Sequence, residues 1–293
     1  MTSVAVLGPG GVGGFVAAAL ARSGADVTVV AREPTAEAIN AGGIEVESVR
    51  LGEFTAHPRA VASLDLPVDV LVIATKAPAL EAALRRVRAD PPLVLPLLNG
   101  VEHLAALRER FGAAAVAGSI RIGAERVGPG RILHTSPAFR IEMAPPGGGT
   151  DSFVHVLRAA EIPAKVRERE AEVLWSKLVR LNALACTTAA ADAPIGEVRA
   201  HPKWRMRLEG AVDETAAVAV AEGAPVDAAA TLGELMELGP AHTSSLHRDL
   251  VAGEPHELDA IAGAVMRAGA RHGIPTPTVA ELVGLIRDRY PAA

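Results

Sequence analysis

Apolar runs and glycine turns alternate along the first half of the chain. A β-branched run over residues 4–7 leads into a glycine-rich turn, a helical pattern follows as far as Ser23, and a second apolar run covers residues 27–31. Apolar runs at residues 68–74 and 93–97 are each followed by a helical pattern. Near-continuous apolar strands that alternate with helices are typical of a parallel sheet with helices on its faces. We therefore predict an α/β domain.

Shorter elements extend this domain. Strict alternation over residues 44–47 indicates a half-exposed strand, which we expect to lie in a small excursion from the main sheet. We interpret strands near residues 115–124 and 131–143 as later members of the sheet, and residues 152–160 as a helix. The α/β domain is predicted to cover residues 1–168.

The pattern changes after this point, because strand signals disappear. We predict an all-helical domain over residues 169–293, in which Gly223, Gly239 and Gly273 stand where helix stops are expected. The predicted helices cover residues 170–190, 202–222, 228–237 and 257–272.

Composition and charge exclude several classes of function. A length of 293 residues fits two domains, and 49% hydrophobic with 22% charged residues is typical of a soluble globular protein. The net charge of −5 gives no support to nucleic-acid binding. No apolar run reaches the roughly 18 residues that span a bilayer, and the N-terminus lacks a signal-peptide pattern, so we expect a cytoplasmic protein without a membrane partner. The single cysteine, Cys186, excludes an internal disulfide, and no residue spacing indicates a metal site.

The glycine turn after the first strand carries the clearest chemical signal. Gly8 suits a tight turn, Gly10 allows the backbone to approach a pyrophosphate, and Gly13 lets the helix pack close to the strand. The start of the helix then offers N–H groups and a positive dipole end to phosphates. A purely structural glycine turn is the alternative, but the flanking strands favour a dinucleotide site. The predicted cofactor-binding residues of this turn are Gly8, Pro9, Gly10, Gly11, Val12 and Gly13.

The end of the second strand indicates which dinucleotide binds. An NAD site usually has an acidic residue there for the ribose hydroxyl, whereas an NADP site has an Arg near the 2′-phosphate. Here the strand ends at Arg32, which can hold a phosphate through two hydrogen bonds, so we predict NADP(H). In the alternative interpretation, Arg32 is a solvated loop charge and Glu33 holds the ribose.

Polar residues also follow two later strands of the predicted sheet. Thr75 and Lys76 come after the apolar run at residues 68–74, and Asn99 follows the run at residues 93–97. Ligands of open α/β sheets bind outside the carboxyl ends of the strands. We therefore predict that these three residues contribute to the cofactor site.

Two stretches of the helical half combine polar and apolar residues in an informative order. In the first, apolar residues recur at helical spacing beside Lys177, and Asn182 follows. A lone lysine on a helix is most often solvated. The second stretch indicates, by itself, a loop and the first turn of a helix with favourably placed acidic residues. Its polar residues include Ser245, Asp249 and Glu257.

Taken in order, these motifs resemble the ketopantoate reductase (2-dehydropantoate 2-reductase) family over nearly the whole chain. The resemblance rests on the glycine turn with Arg32, Thr75-Lys76, Asn99-Gly100, Trp175-x-Lys177-Leu178, Ser244-Ser245 with Asp249 and Glu257, and the segment at residues 273–277. It implies a Rossmann-type domain followed by an all-α domain like the C-terminal domain of 6-phosphogluconate dehydrogenase. It also implies an active site in the cleft between the two.

The resemblance further implies an activity and a role for each residue. The activity is the NADPH-dependent reduction of a 2-keto acid, ketopantoate in the first place, to the 2-hydroxy acid, in the biosynthesis of pantothenate and coenzyme A. Lys177 would be the general acid, with Glu257 and Asn99 as the other catalytic residues. Ser245, Asp249 and Asn182 would bind substrate. Lys76 would lie near the cofactor.

One departure from the family pattern affects the substrate. The family usually has asparagines four and eight residues after the lysine, whereas this chain has Leu181 and Ala185. Asn182 points about 140° around a regular helix from Lys177, and only a one-residue bulge would rotate it back. Without a bulge the face is apolar, and a missing polar partner changes selectivity strongly.

Three hypotheses follow. The first is ketopantoate reduction, the second is reduction of a different 2-keto acid or carbonyl compound, and the third is a catalytically silent NADP-binding sensor. A homodimer is possible, although the apolar helix faces are also what the core of the helical domain requires.

Overall fold

The computed structural model describes residues 2–137, 139–145 and 149–291, which pack as two compact units. The first unit comprises Met1–Leu98 and His103–Val173, and the second comprises Asn99–Glu102 and Leu174–Ala293. The four residues Asn99–Glu102, which follow a strand of the first unit, therefore pack with the second. The predicted domain limits, 1–168 and 169–293, place these four residues in the first domain. We call Asn99–Glu102 the exchanged segment.

The first unit contains the strands and the shorter helices. Its strands are β1 (Ser3–Leu7), β2 (Asp26–Val30), β3 (Ile44–Ser48), β4 (Gly52–Ala56), β5 (Arg59–Val61), β6 (Val70–Ile73), β7 (Leu93–Pro96), β8 (Ala117–Arg121), β9 (Ala124–Gly128), β10 (Arg131–His134), β11 (Arg140–Ala144) and β12 (Ala164–Val166). Its helices are α1 (Gly11–Arg22), α2 (Glu33–Gly42), α3 (Leu80–Leu84), α4 (His103–Phe111) and α5 (Asp151–Ala159).

A five-stranded parallel sheet forms the centre of this unit, with strand order β5-β2-β1-β6-β7. All residues of β6 and β7 are buried, as expected for parallel strands that helices cover on both faces. Helix α1 contributes a row of buried small residues and Phe15 to the core. The predicted α/β fold is confirmed.

Most of the later strand residues lie in two other sheets, so that part of the prediction is wrong for most of its length. The strand predicted near residues 115–124 does join the parallel sheet at its start, where Ala115 bridges Val94 of β7 and the Val116 N–H donates to the Val94 carbonyl at 3.1 Å. Strands β8, β11 and β12 form a three-stranded sheet, and β4, β3, β10 and β9 form a four-stranded one. Each predicted long strand is in fact two short ones. The chain leaves β8 at Arg121 and enters a different sheet at Ala124, and the region predicted as one strand over residues 131–143 is divided between β10 and β11. β10 pairs in parallel with β3 and antiparallel with β9, and β11 pairs in parallel with β12 and antiparallel with β8.

The second unit is built almost entirely from helices, as predicted. Its helices are α6 (Glu170–Ala191, which begins in the first unit), α7 (Ile195–Ala200), α8 (Pro202–Ala221), α9 (Ala228–Met236), α10 (Ser245–Val251), α11 (Ala264–His272) and α12 (Pro277–Arg289). A π-helical turn, Asp259–Gly263, precedes α11. Among the residues that the structure describes, no helix has the length and apolar character required to cross a bilayer.

Candidate active site

The glycine turn joins β1 to α1 with the geometry of a phosphate-binding loop. Gly8 has φ = +91°, a conformation that favours glycine, and its N–H donates to the Val30 carbonyl at 3.0 Å. A Cβ on Gly13 would collide with the Gly8 carbonyl, so the helix packs closely on the turn. A Cβ on Gly10, by contrast, would meet no atom within 4 Å. The loop is therefore tight where it packs and open where a ligand would approach.

Helix α1 has no side-chain cap at its N-terminus among the described residues. Gly10 is the N-cap residue, and no side chain accepts a hydrogen bond from the first turn at this position. The first N–H groups of an α-helix have no partner within the helix, and they carry the positive end of its dipole. Pro9, Gly11 and Val12 are half-exposed around this end. This arrangement suits an anionic ligand.

Arg32 lies directly after β2, the strand that pairs with β1. Its side chain is exposed, and within the described part of the chain it makes no hydrogen bond or ion pair. Its backbone is extended at the N-cap of α2. Glu33 is the first residue of that helix and is also exposed. A guanidinium in this position is available to an incoming phosphate.

Thr75 and Lys76 follow β6, on the other side of β1. A side chain on Gly8 would collide with Thr75, which shows how closely the two residues pack. The Thr75 Oγ1 is buried and has no hydrogen-bond partner among the residues described. Buried hydroxyl groups are nearly always paired, so an unpaired one beside the glycine turn is consistent with a ligand as its partner. Lys76 is exposed.

The structure brings Asn99 and Glu257 together, although they are far apart in sequence. The Asn99 Nδ2 donates to Glu257 Oε2 at 2.6 Å. Asn99 is half-buried, and Glu257 is only 7% exposed. Both belong to the second unit, because Asn99 lies in the exchanged segment. A buried carboxylate oriented by an amide provides a fixed hydrogen-bond acceptor.

Lys177 lies on α6, which is a regular α-helix over its whole length. The residue is half-buried, and its neighbours Trp175 and Leu178 are buried. Leu181, one turn later, is half-buried as well, and Ala185 is fully buried. The face that continues from Lys177 is therefore apolar.

Asn182 departs from its expected place beside the substrate. The bulge that would turn it towards Lys177 is absent from α6, and its side chain is 0% exposed. Its Nδ2 donates to Thr215 Oγ1 at 2.8 Å, and its Oδ1 accepts from the Cys186 thiol at 3.3 Å. Both polar ends are used inside the helical unit, so this residue serves packing. Burial also raises the pKa of the Cys186 thiol to about 12.

Ser245 and Asp249 lie four residues apart on α10, a spacing that places them on the same face. Ser245 is exposed and Asp249 is half-exposed. The preceding residue, Ser244, is the N-cap: its Oγ accepts from the His247 N–H at 3.1 Å and lies 3.4 Å from Thr188 Oγ1 of α6. These bonds fix the start of α10 against α6.

A second contact that fixes α10 has no signal in the sequence. The His247 Nε2 lies 2.9 Å from Asp192 Oδ1, and the Tyr290 hydroxyl donates to the same oxygen at 3.0 Å. The hydrogen bond to His247 holds the pKa of Asp192 below its usual range, and the bond from Tyr290 acts in the same direction. Asp192 also has a positive φ of 54°. Periodicity and motif spacing do not indicate a partner so distant in sequence.

Comparison with known proteins gives one consistent result. Two family models match, ketopantoate reductase PanE/ApbA over residues 4–147 and ketopantoate reductase PanE/ApbA C terminal over residues 171–290. A 2-dehydropantoate 2-reductase of Caulobacter vibrioides is 34% identical over 98% of both chains.

Solved structures agree with this result. The 2-dehydropantoate 2-reductase of Geobacter metallireducens is 26% identical, with a TM-score of 0.89, over 98% of this chain and 99% of that one. A D-mandelate dehydrogenase solved with NADH and anilino(oxo)acetate shares the fold, with 21% identity and a TM-score of 0.89 over 99% of both chains. The chain belongs to the ketopantoate reductase family of oxidoreductases, which use a nicotinamide dinucleotide.

Proposed function

We propose that the protein reduces ketopantoate to pantoate with NADPH. The observation that carries this proposal is the 2.6 Å hydrogen bond between Asn99 and Glu257. This bond orients a buried carboxylate, and the substrate of this family carries a hydroxyl group in addition to its 2-keto acid group. Such a carboxylate suits a hydrogen bond from that hydroxyl. The relative from Caulobacter vibrioides has the corresponding name. In this role the protein would act in the synthesis of pantothenate and coenzyme A, in the cytoplasm.

The residues of the first unit fit NADPH. The open side of the turn at Gly10 and the uncapped start of α1 would hold the pyrophosphate. Arg32 would hold the 2′-phosphate, since its guanidinium is exposed and makes no hydrogen bond within the described part of the chain. The unpaired Thr75 hydroxyl and Lys76 would contact the cofactor near the glycine turn. When bound, NADPH supplies a hydride to the carbonyl carbon of the keto acid.

The residues of the second unit would handle the proton and orient the substrate. As the carbonyl carbon is reduced, its oxygen gains negative charge, which Lys177 stabilises and then neutralises by giving up a proton. Glu257 accepts a hydrogen bond from the substrate hydroxyl, and Asn99 orients that carboxylate. Ser245 would donate a hydrogen bond to the substrate carboxylate, and Asp249, four residues later on the same helix, would also contribute to the substrate site.

A second candidate function is favoured by α6. Because this helix is regular and Asn182 is used in the core, the face that continues from Lys177 presents the half-buried Leu181 where the family usually has an amide. An apolar face suits a 2-keto acid with a larger apolar side chain. Reduction of such a keto acid would use the same cofactor residues and the same lysine.

Steady-state assays of NADPH consumption, with identification of the product, test the proposal. Turnover with ketopantoate and formation of pantoate support it. Turnover with other keto acids only would support the second candidate. Tight NADPH binding without turnover on any carbonyl compound would instead indicate a sensor. Measurement of the molar mass in solution tests the possible homodimer.

A further inference from the structure

The segment Asn99–Glu102 rests directly on the π-helical turn that follows Glu257. Gly100 has φ = +84°, and a Cβ there would collide with the carbonyl of Ala260, inside the turn. Only glycine permits both this conformation and this approach. π-Helical turns are rare and frequently occur at functional sites. We call this contact between Asn99–Glu102 and the turn Asp259–Gly263 the junction. Asn99 and Glu257 lie next to it in the sequence.

Arg267 of α11 holds both segments of this junction at once. Its Nε and Nη2 donate to the two carboxylate oxygens of Glu102 at 2.9 and 2.7 Å. Its Nη1 and Nη2 donate to the two oxygens of Asp259 at 2.8 and 3.1 Å, and Nη2 also lies 3.2 Å from the Asp259 carbonyl. One planar guanidinium therefore binds the carboxylate of Asp259, the first residue of the π-helical turn, and the carboxylate of Glu102 in the exchanged segment.

The pKa values of the charged groups in this junction shift in the directions expected for paired groups. The hydrogen bonds from Arg267 lower the pKa of Asp259, and those to Glu102 and Asp259 raise the pKa of Arg267. The three side chains remain substantially exposed, at 44%, 43% and 76% for Arg267, Glu102 and Asp259. Exposed ion pairs usually add little to stability. The bidentate geometry instead defines direction, which is the property that positioning requires.

We propose that Arg267 is a positioning residue for the active site. By joining Glu102 to Asp259 it sets the distance between the segments that carry Asn99 and Glu257, three and two residues away. Arg267 acts through the Asn99–Glu257 hydrogen bond and needs no contact with the substrate. The catalytic part of this inference rests on the proposed function, whereas the structural part does not.

The first test compares Arg267→Met with a matched control. Methionine keeps much of the apolar stem but removes every donor. Arg271→Met is the control, because Arg271 lies one turn later on α11 and pairs with Glu222 at 2.9 Å, away from the junction. We expect amide hydrogen exchange at residues 99–102 and 257–263 to become faster in Arg267→Met and to stay unchanged in Arg271→Met. Equal exchange in both variants would overturn the proposal.

The second test measures whether Arg267 acts through Asn99. We expect Arg267→Met to lower kcat/KM for the keto acid about tenfold, the size of one lost charge-assisted hydrogen bond, with a melting temperature close to that of Arg271→Met. In an Asn99→Ala background the same change should cost less than about twofold, because the bond it positions is already gone. Losses that multiply in full would contradict the proposed route.

A milder variant covers the case in which Arg267→Met does not fold. Glu102→Gln leaves Arg267 bound to Asp259 and weakens only the bond to the exchanged segment. It should reproduce the faster exchange at residues 99–102, and unchanged exchange there would overturn the proposal. Hydrogen exchange needs no substrate, so this result is independent of the proposed function. A wild-type protein that reduces no keto acid would refute the function, whereas the exchange rates decide whether Arg267 holds the two segments together.

Discussion

Lys177 is the residue on which the proposed chemistry depends most. It is half-buried on α6 in the helical unit, and in the proposed function its ammonium group would protonate the developing alkoxide. We expect Lys177→Ala to lower kcat by at least about a hundredfold, the lower end for general acid–base catalysis, and to leave the Kd for NADPH nearly unchanged. Lys203→Ala, at an exposed position on α8, is the control. Turnover close to wild type would remove Lys177 from the mechanism.

Arg32 is the residue that we propose selects NADPH over NADH. Its exposed guanidinium has no protein partner within the described residues, so its loss should affect only a bound phosphate. We expect Arg32→Ala to weaken NADPH at least about tenfold and NADH much less, because charge-assisted hydrogen bonds to the 2′-phosphate are lost. The control is Arg59→Ala, an exposed arginine at the amino end of β5. Equal losses for the two cofactors, measured by fluorescence titration, would mean that Arg32 does not contact the 2′-phosphate.

Residues with local roles were predictable from the sequence, and residues with distant partners were not. The glycine turn was predictable because the spacing of its glycines, between a strand and a helix, is itself a short-range sequence pattern. Asn182 is different, since its partner Thr215 lies on another helix. A helical wheel gives its direction but not which neighbour occupies that side. The Arg267–Glu102 and His247–Asp192 pairs were not predictable for the same reason, because each joins residues that are far apart in sequence.

At the scale of elements, hydrophobic periodicity predicted β1, β2, β6 and β7 of the parallel sheet and the long helices α1, α6 and α8, but not the 13-residue helix α12. It did not predict β4, β5, β9 or β12, which are short or largely exposed and therefore lack a strong apolar signal. It also assigned the strands near residues 115–124 and 131–143 to the parallel sheet, whereas β8, β9, β10 and β11 lie in two other sheets. Periodicity shows which face of a strand is buried but carries no information about which strand pairs with it.

The three-stranded sheet contains a buried carboxylate whose charge should stabilise this unit. Glu142 of β11 has a side chain that is 5% exposed, and Arg167 donates to its Oε1 at 2.6 Å. Burial alone would raise the pKa of Glu142, but the hydrogen bond from Arg167 and the charges of Arg140 and Arg167 outweigh it and lower that pKa. Stability from this group is complete above the ordinary carboxyl pKa and is lost as the pH falls through the lowered value.

Glu142→Gln tests this contribution. We expect the free energy of unfolding at pH 7 to fall by about 1–3 kcal/mol, since a charged hydrogen-bond acceptor is lost. The difference from wild type should narrow as the pH falls through the lowered pKa of Glu142, because the native carboxylate itself then becomes protonated. Glu81→Gln, which removes an exposed pair with Arg85, should change little. Urea unfolding at several pH values measures both, and a difference that does not depend on pH would contradict the account.

At the scale of the whole molecule, the change from α/β to helical composition was visible in the sequence, but the exchanged segment was not. Asn99–Glu102 follows β7 and precedes α4, so its position in the chain indicates the first unit. Its packing with the second unit depends on Gly100, which contacts a turn that lies 160 residues later in the sequence at Ala260. Family resemblance supplied the functional importance of both stretches, and the structure supplied their contact.

The most direct test of the central claim is the ratio of kcat/KM for ketopantoate to that for trimethylpyruvate, with NADPH as the cofactor. The two keto acids differ only in the hydroxyl group that Glu257 and Asn99 are proposed to recognise. Because trimethylpyruvate lacks the hydroxyl that would donate to this buried carboxylate, we expect a ratio of at least about a hundred. A ratio near one, or a preference for trimethylpyruvate, would contradict ketopantoate as the substrate and favour an apolar 2-keto acid.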